Sequence, residues 1–281
     1  MSTRLPSKTI CAVVLTLNEA AVLVRCLQSL AWADELVVVD SGSTDATRDS
    51  AAAHGARFYT NVQSGPFLIA EQRNWALEHA EITCIWALFL DADEVVGQEL
   101  AMKLPNVLSK ETTYAAYELT PRYWYMGKWM RRTIGYPNWH SRVACVGSVR
   151  FAGGVWEHFA SGIAVGRIDT PYEHFGNAKG FTDWLTRHDR YSTWDAKAIV
   201  AFLDTHDSAA FGTSRKLWLR RLAGRFWVVR PPARFLLMYV LRAGFLGGWS
   251  ALLFCTRYAI YEYMTLEKIV ELRRRATGLP L

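Results

Sequence analysis

The chain has 281 residues, of which 51% are hydrophobic, and a formal net charge of +6 at pH 7. It is long enough to bury a core, as one large domain or as a domain with a substantial appendage. Its five cysteines are scattered without a Cys-x-x-Cys spacing. This pattern predicts reduced, buried thiols in a cytosolic protein and argues against a disulfide scaffold.

The first third of the chain alternates between apolar runs and segments with helical spacing. We predict strands at residues 9–17, 35–39, 57–60 and 83–90, and helices at 20–30, 46–54 and 69–80. Alternation at this spacing predicts an α/β protein with a doubly wound, mainly parallel sheet. The first apolar run follows Arg4 and Lys8 but lacks a small-residue cleavage site, so we predict a strand there and not a signal peptide.

Beyond residue 104 the alternation fades, although a strand at 115–125 and a helix at 181–197 are still predicted. Residues 208–261 hold nine Arg and Lys and no Asp or Glu, which leaves the rest of the chain at −3. Aromatic and aliphatic residues lie between these arginines, as is typical of a helix in an anionic membrane interface. The uncharged stretch 243–256 is shorter than the roughly 20 residues that cross a bilayer.

We therefore predict that the tail contacts an anionic membrane surface through residues 208–261, as a peripheral or monotopic protein on the cytoplasmic face of the inner membrane. Nucleic-acid binding is disfavoured by the high apolar content of this segment. Docking of the tail helices on the rest of the protein is the remaining interpretation.

The apolar run 86–90 ends in two carboxylates, Asp91 and Asp93, spaced one residue apart. At the carboxyl edge of an open α/β sheet, such side chains lie in the crevice where these sheets bind ligands. Mg²⁺ and Mn²⁺ prefer carboxylate oxygens and often share them with substrate phosphates. The pattern predicts a metal–diphosphate site; a polar turn in which Asp93 or Glu94 caps the next helix is the alternative.

Four segments in order resemble glycosyltransferase family 2, which has the GT-A fold: Val13-Val14-Leu15-Thr16-Leu17-Asn18-Glu19, Val38-Val39-Asp40-Ser41-Gly42-Ser43-Thr44-Asp45, Gln72-Arg73-Asn74 and Leu90-Asp91-Ala92-Asp93-Glu94. The resemblance covers roughly residues 9–200 and is greatest to bacterial lipopolysaccharide-core β-glucosyltransferases. It implies a Rossmann-like GT-A fold with a C-terminal helical, membrane-associated extension. The implied domains are a catalytic domain at 1–207, with a nucleotide-sugar half at about 9–104 and an acceptor half at about 105–207, and a tail at 208–281.

The resemblance also implies roles for individual residues on the donor side. Asp40 is expected at the nucleobase or ribose, Arg73 near the nucleotide, and Asp91 at the ribose or a metal-bound water. Asp93 is expected to ligate Mg²⁺ or Mn²⁺. The same resemblance places the nucleotide beside further residues of these segments: Leu17, Asn18, Glu19, Ser41, Gly42 and Ala92. A surface position or a structural ion pair is the alternative for Arg73.

For the acceptor side, the resemblance makes Glu157 the candidate catalytic base. The chain departs from the family pattern here, with Trp156 where a histidine usually stands, and Glu173 or Asp169 is the alternative base. His174 matches a histidine that completes the metal or diphosphate site in relatives; a buried histidine bonded to backbone is the competing interpretation. Arg190 is expected to reach a phosphate, or else to lie on a solvated helix face.

Together these expectations describe an inverting, metal-dependent glycosyltransferase. Its donor would be a nucleotide-diphosphate sugar, with a UDP-hexose favoured, and its acceptor a lipid-linked saccharide such as lipopolysaccharide core. A polyprenyl-phosphate glycosyltransferase and a non-catalytic membrane-associated scaffold are the alternatives. A sugar-phosphate nucleotidyltransferase is disfavoured because its Gly-rich N-terminal loop is not seen.

Overall fold

A computed structural model describes residues 9–65, 67–110, 112–153, 157–205 and 227–281. By their internal contacts these residues fall into two units. Within the described ranges, the first unit comprises Met1–Tyr123, Pro137–Ala152 and Glu157–Ala178, and the second comprises Trp124–Tyr136, Gly153–Trp156 and Lys179–Leu281.

The first unit is built on a seven-stranded sheet, whose strands are β1 Ile10–Thr16, β2 Glu35–Asp40, β3 Arg57–Thr60, β4 Trp86–Asp91, β6 Ala116–Leu119, β9 His140–Cys145 and β12 Val165–Arg167. Their order in the sheet is β12-β6-β9-β4-β1-β2-β3. The four strands β4, β1, β2 and β3 are parallel, and β9 runs antiparallel to both β4 and β6. Helices α1 (Ala20–Gln28), α2 (Thr47–Ala53), α3 (Ile69–His79) and α4 (Gln98–Leu108) belong to the same unit.

Residues of the central strands are apolar on both faces because helices cover both sides of the sheet. Val14 and Leu88 pack in one buried cluster with Leu23 of α1. Val13 and Phe89 pack in a second cluster, which also holds Ala70 and Ala76 of α3. Neighbouring residues of a strand point to opposite faces, so a continuous apolar run is what a two-sided core requires.

The parallel register brings the predicted polar strand ends to one edge. Leu15 of β1 is paired with Asp91 of β4, and Thr16 is paired with Asp40 of β2. The carboxyl ends of β1, β2 and β4 therefore meet where open α/β sheets bind ligands.

Two smaller sets of strands complete this edge. Strand β5 (Glu94–Val95) is antiparallel to β13 (Tyr172–His174), which places His174 opposite Glu94. The first three residues of β7 (Pro121–Tyr125) are parallel to β13, and its last two pair with β8 (Lys128–Trp129). Strands β10 (Phe151–Ala152) and β11 (His158–Phe159) form an antiparallel pair, so Glu157 directly precedes a paired strand.

The second unit is mainly helical. Its elements are α5 (Gly180–Thr205), a 3₁₀ turn (Trp227–Val229), α6 (Arg230–Phe235), a π-helical segment (Leu236–Leu241), a second 3₁₀ turn (Gly244–Gly247) and α7 (Gly248–Ala276). Pro231 and Pro232 lie in the first turn of α6, where a missing N–H removes no helical hydrogen bond. The Pro231-Pro232 pair also predicts a break between two helical pieces, and the piece before Trp227 lies outside the described residues.

The mixed α/β architecture with a mainly parallel central sheet is confirmed, as is a helical C-terminal extension. The predicted domain boundary at residue 207 lies outside the described residues and stays a prediction. Within the described residues, no single helix is long and apolar enough to cross a bilayer. One pair of helical segments meets that criterion jointly, although the chain bends by 68° between them: Arg230–Leu241 and Gly244–Ala276. Membrane association of the tail stays a prediction.

Candidate functional site

Three consecutive residues of α3 contact different segments at the carboxyl edge of the sheet. The amide Nε2 of Gln72 donates to Ser41 Oγ at 3.1 Å and to the carbonyl of Asn61. The Asn74 side chain exchanges two hydrogen bonds with the backbone of Phe151 in β10. Between them, Arg73 points into the sheet edge. The segment Gln72-Arg73-Asn74 therefore organises the site from one helix turn.

Arg73 is fully buried and holds two carboxylates in place. Its Nη1 lies 2.7 Å from Glu157 Oε1, and its Nη2 lies 3.6 Å from Asp91 Oδ1. Nη1 also donates to the carbonyl of Ser141 at 2.9 Å. The structural ion pair that the sequence left as an alternative is thus present. A contact between Arg73 and a nucleotide stays a prediction.

A second buried guanidinium, that of Arg142 in β9, also contacts Asp91 and Glu157. Its Nη2 lies 2.6 Å from Glu94 Oε1 and 3.4 Å from Asp91 Oδ2. Its Nη1 lies 3.5 Å from Glu157 Oε1, and its Nε donates to Tyr172 Oη at 3.1 Å. Charges taken out of water require such pairing, so the two arginines and three carboxylates form one mutually dependent cluster.

Two carboxyls of this cluster have perturbed proton affinities. Burial raises the pKa of Glu94 to about 7, against the opposing charge of Arg142. Burial likewise raises the pKa of Glu157, against the opposing charges of Arg73 and Arg142. Oxygen Oε2 of Glu157 is buried and accepts no hydrogen bond from the described residues. Oε2 is thus the Glu157 oxygen that neither arginine contacts, and an ionised carboxylate oxygen without a donor is the kind of group that accepts a proton in general base catalysis.

Asp93 and His174 meet beside this cluster. Nε2 of His174 lies 3.6 Å from Asp93 Oδ1, and the backbone N–H of Phe175 donates to the Asp93 carbonyl at 2.9 Å. A Cβ on Gly176 would lie 2.8 Å from the same Nε2, so only glycine leaves this face of the ring clear. Burial by itself lowers the pKa of His174, but the neighbouring carboxylates, Asp93 first, raise it overall.

Asp93 and His174 are the residues here that could hold a divalent cation. Both are partly accessible, at 13% and 19% of the side-chain surface, and a carboxylate oxygen with an imidazole nitrogen suits Mn²⁺. The described residues contain no group of three or more His, Cys, Asp or Glu arranged to hold a metal. At phosphate sites Mg²⁺ is usually held by one or two carboxylates, and substrate phosphates and water complete its shell.

Asp40 shapes the loop that follows β2. Its Oδ2 accepts hydrogen bonds from the backbone N–H groups of Gly42 and Ser43 at 2.9 and 2.7 Å, and its Oδ1 accepts one from Thr16 Oγ1 at 2.8 Å. Gly42 has φ +100°, and a Cβ there would lie 3.1 Å from Val62, which explains the glycine. Asp40 is only 2% exposed. Its predicted contact with the nucleobase or ribose remains untested.

The turn after β1 is fastened to the same loop. Asn18 has φ 56°, and its Oδ1 accepts from the backbone N–H of Thr44 at 2.8 Å. The N–H of Asn18 donates to Ser43 Oγ, and the N–H of Glu19 donates to Thr47 Oγ1. The predicted nucleotide-binding residues Leu17, Asn18 and Glu19 thus border the loop that carries Ser41 and Gly42.

The structure brings most of the predicted site residues together at one sheet edge, and Ala92 lies buried between the two aspartates. Of the alternative bases, Asp169 is 85% exposed in a surface ion pair with Lys103, and Glu173 pairs with Arg122 at 3.2 Å. Arg190 is exposed on α5 of the second unit, and its contact with a phosphate stays a prediction. Trp156 lies outside the described residues.

Sequence reasoning missed Arg142 and Tyr172. Arg142 interrupts the apolar strand His140–Cys145, and an arginine in a buried strand signals a buried carboxylate partner. Tyr172 directly precedes Glu173 and His174, which are predicted site residues, but no sequence pattern indicates a role for the tyrosine itself.

Comparison with known proteins agrees with the fold. A model of the family described as glycosyl transferase family 2 matches residues 11–169. A lipopolysaccharide core biosynthesis glycosyltransferase, LpsC, of Rhizobium meliloti (strain 1021) is 30% identical over 128 residues, which are 44% of this chain and 46% of that protein. An uncharacterized glycosyltransferase of Rickettsia bellii (strain RML369-C) is 34% identical over 118 residues, 40% of this chain and 38% of that protein.

Among solved structures, glucosyl-3-phosphoglycerate synthase from Mycobacterium tuberculosis, in complex with Mn²⁺, uridine diphosphate and glucosyl-3-phosphoglycerate, is 20% identical. The match covers 64% of this chain and 75% of that chain, with a TM-score of 0.45. The chain spans less than half of the length of the two curated relatives described above.

Proposed function

The chain belongs to glycosyltransferase family 2, and from this membership we propose that it transfers a hexosyl group, with inversion, from a uridine diphosphate sugar to a lipid-linked saccharide. The likeness to a protein named for lipopolysaccharide core biosynthesis favours lipopolysaccharide core as the acceptor. Uridine diphosphate is the donor nucleotide that the resemblance to core β-glucosyltransferases implies.

One observation carries this proposal. Four carboxylates, those of Asp91, Asp93, Glu94 and Glu157, gather at the carboxyl edge of the sheet, and the guanidiniums of Arg73 and Arg142 pair with three of them. Carboxylate oxygens gathered at one place favour a divalent cation there. The raised pKa of Glu157 favours proton transfer at the same place. A metal beside a proton acceptor is what sugar transfer from a diphosphate needs.

We assign the metal to Asp93 and His174, as Mg²⁺ or Mn²⁺. When bound, the ion would neutralise the negative charge that builds on the leaving nucleoside diphosphate. Asp91, at the end of β4, would face the ribose or a water on the ion. Loop residues Asn18, Asp40 and Gly42 would border the nucleotide.

The chain's own contribution to bond making centres on Glu157. An acceptor hydroxyl attacks the anomeric carbon from the face opposite the diphosphate, so a new C–O bond forms as the C–O bond to the phosphate breaks. The hydroxyl proton passes to Glu157 Oε2, and the bonding electrons leave with the diphosphate. Arg73 and Arg142 hold the other oxygen, Oε1, and so fix the direction of the base.

A lipid-linked acceptor would be met at a membrane. We therefore place the protein on the cytoplasmic face of the inner membrane, attached peripherally by its basic tail. Part of that tail, residues 206–226, lies outside the described ranges.

The proposal is tested by incubating the full chain with UDP-hexoses, Mn²⁺ and lipopolysaccharide of truncated core, and measuring UDP release and the anomeric configuration of the product by NMR. UDP release that requires both the acceptor and the metal, with an inverted product, supports the proposal. A retained configuration, or transfer that proceeds equally well in a chelator, contradicts it.

A further inference from the structure

The helical C-terminal unit contains a fixed bend between the π-helical segment and α7. Ala243 adopts a left-handed conformation with φ 54°. A Cβ on Gly244 would lie 2.4 Å from the carbonyl oxygen of Met238, so the chain can turn only with glycine there. The guanidinium of Arg242 donates to the carbonyls of Thr133 and Ile134. The bend is therefore fastened to the loop after β8 and is a built feature of this unit.

Large apolar side chains are exposed on both sides of this bend. Leu241 is 77% exposed and Trp249 is 69% exposed. We define the apolar bend as these two residues and their exposed neighbours Leu236, Val240, Phe245 and Leu246. Exposed apolar surface of this extent, concentrated in a short segment, marks an interaction site.

A basic pocket of about 310 Å³ borders the apolar bend. One wall comes from β8 and the loop after it, and it carries three exposed cations, Lys128, Arg131 and Arg132. The Arg131 guanidinium lies 5.3 Å from the ring centroid of Trp129. The opposite wall comes from the bend itself, including Leu246 and Ala251.

The charge of this surface points to its occupant. Both walls come from acid-free stretches, residues 126–145 and 208–261, which contain no Asp or Glu. A cationic pocket attracts a phosphate, and the adjoining apolar side chains suit acyl chains. Arginine with tryptophan at the edge of an apolar surface is the composition of a membrane interface.

We propose that the apolar bend inserts into an anionic lipid bilayer while the basic pocket takes the phosphate of one lipid headgroup. This inference rests on the proposed membrane-bound function and narrows its attachment surface to residues 236–249 and 128–132. It commits to a bilayer because the exposed apolar side chains directly adjoin a cluster of cations, which is the combination that the acyl chains and headgroups of an anionic bilayer bind.

The test uses the purified full chain and sedimentation with vesicles of phosphatidylcholine, alone or mixed with phosphatidylglycerol. Two double variants act on separate parts of the surface: Arg131→Glu with Arg132→Glu, and Leu241→Glu with Trp249→Glu. Lys110→Glu and Met102→Glu are the matched controls, since both residues are exposed and lie in the first unit. Thermal melting establishes that each variant is folded, and the thermal shift with UDP and Mn²⁺ is measured in parallel.

We expect the wild-type chain to bind the vesicles that contain phosphatidylglycerol. Each double variant should bind at least about tenfold more weakly, while both controls bind normally. Absence of wild-type binding, or unchanged binding of both double variants, overturns the proposal. So does wild-type self-association that Leu241→Glu with Trp249→Glu abolishes, because a second copy would then cover the bend. Vesicle binding without any nucleotide response upholds this surface and contradicts only the proposed transferase.

Discussion

Nη1 of Arg73 lies 2.7 Å from Oε1 of Glu157, a residue that directly precedes β11. Arg73 is fully buried, and only 11% of the Glu157 side chain is exposed. Helix α3 thus holds the candidate base directly, and Arg142 of β9 contacts the same oxygen at 3.5 Å. The position of Glu157 is therefore set by the protein before any substrate arrives, which is the preorganisation that proton transfer exploits.

Replacing Glu157 by Gln keeps the shape of the side chain but removes its ability to accept a proton. We expect turnover to fall by about 10²–10⁴-fold, while the KM for the nucleotide sugar changes little. Steady-state kinetics at saturating acceptor measures both quantities. The matched control is Glu173→Gln, which alters the other candidate carboxylate, paired with Arg122. A larger loss in Glu173→Gln than in Glu157→Gln would move the base to Glu173.

The activity should also depend on pH through Glu157. Burial raises its pKa from the usual value of 4.5, and the base works only when ionised. As the pH is lowered, the rate should therefore begin to fall at a higher pH than it would if the base were a glutamate with the usual pKa. A profile of kcat/KM against pH measures this limb. A limb at or below 4.5 would show that another group is the base.

Removing Arg142 should destabilise the first unit strongly. Arg142→Leu leaves Glu94 and Glu157 buried with less positive charge, at a cost of about 3–5 kcal/mol in the free energy of unfolding. Arg150→Leu is the control, because Arg150 pairs with Glu78 at the surface, with 67% and 45% of their side chains exposed. That change should cost less than about 1 kcal/mol. Equal losses in urea denaturation would mean that the buried cluster adds nothing to stability.

The sequence predicted the strands of the parallel half closely, because short continuous apolar runs such as Val13-Val14-Leu15 are typical of strands that are buried on both faces. It also predicted that Asp40, Asp91 and Asp93 lie at one edge, since parallel strands share their carboxyl ends. It did not predict Arg142, whose partners are distant in sequence. The antiparallel pairing that places His174 opposite Glu94 joins two very short strands, and such strands carry no detectable alternation.

A histidine in the second unit gives a separate test of the packing of α5. The ring of His188 is stacked on Trp184 with 3.9 Å between centroids, and burial lowers the His188 pKa to about 4 from 6.5. Between these two pH values the unfolded chain binds a proton that the folded chain does not. Stability should therefore fall as the pH is lowered from 6.5 to 4, by up to about 3 kcal/mol from this residue.

The measurement is urea denaturation of the wild-type chain and of His188→Phe across this pH range. The variant keeps the aromatic stack but lacks the titrating group, so its stability should change less with pH than that of the wild type. If the stability of the two proteins changed equally with pH, the folded chain would also bind a proton at His188 in this pH range.

The central claim is that Asp93 anchors a divalent cation which binds the diphosphate of the donor. The most direct measurement is the thermal shift of the full chain with UDP, GDP, ADP and CMP, each with and without Mn²⁺, because a ligand of the folded state raises the apparent melting temperature. We predict a shift with UDP that requires Mn²⁺, is lost in Asp93→Ala and persists in Asp49→Ala, which removes an exposed aspartate of α2. A metal-dependent UDP shift that survives in Asp93→Ala, or no shift with any of the four nucleotides, would contradict it.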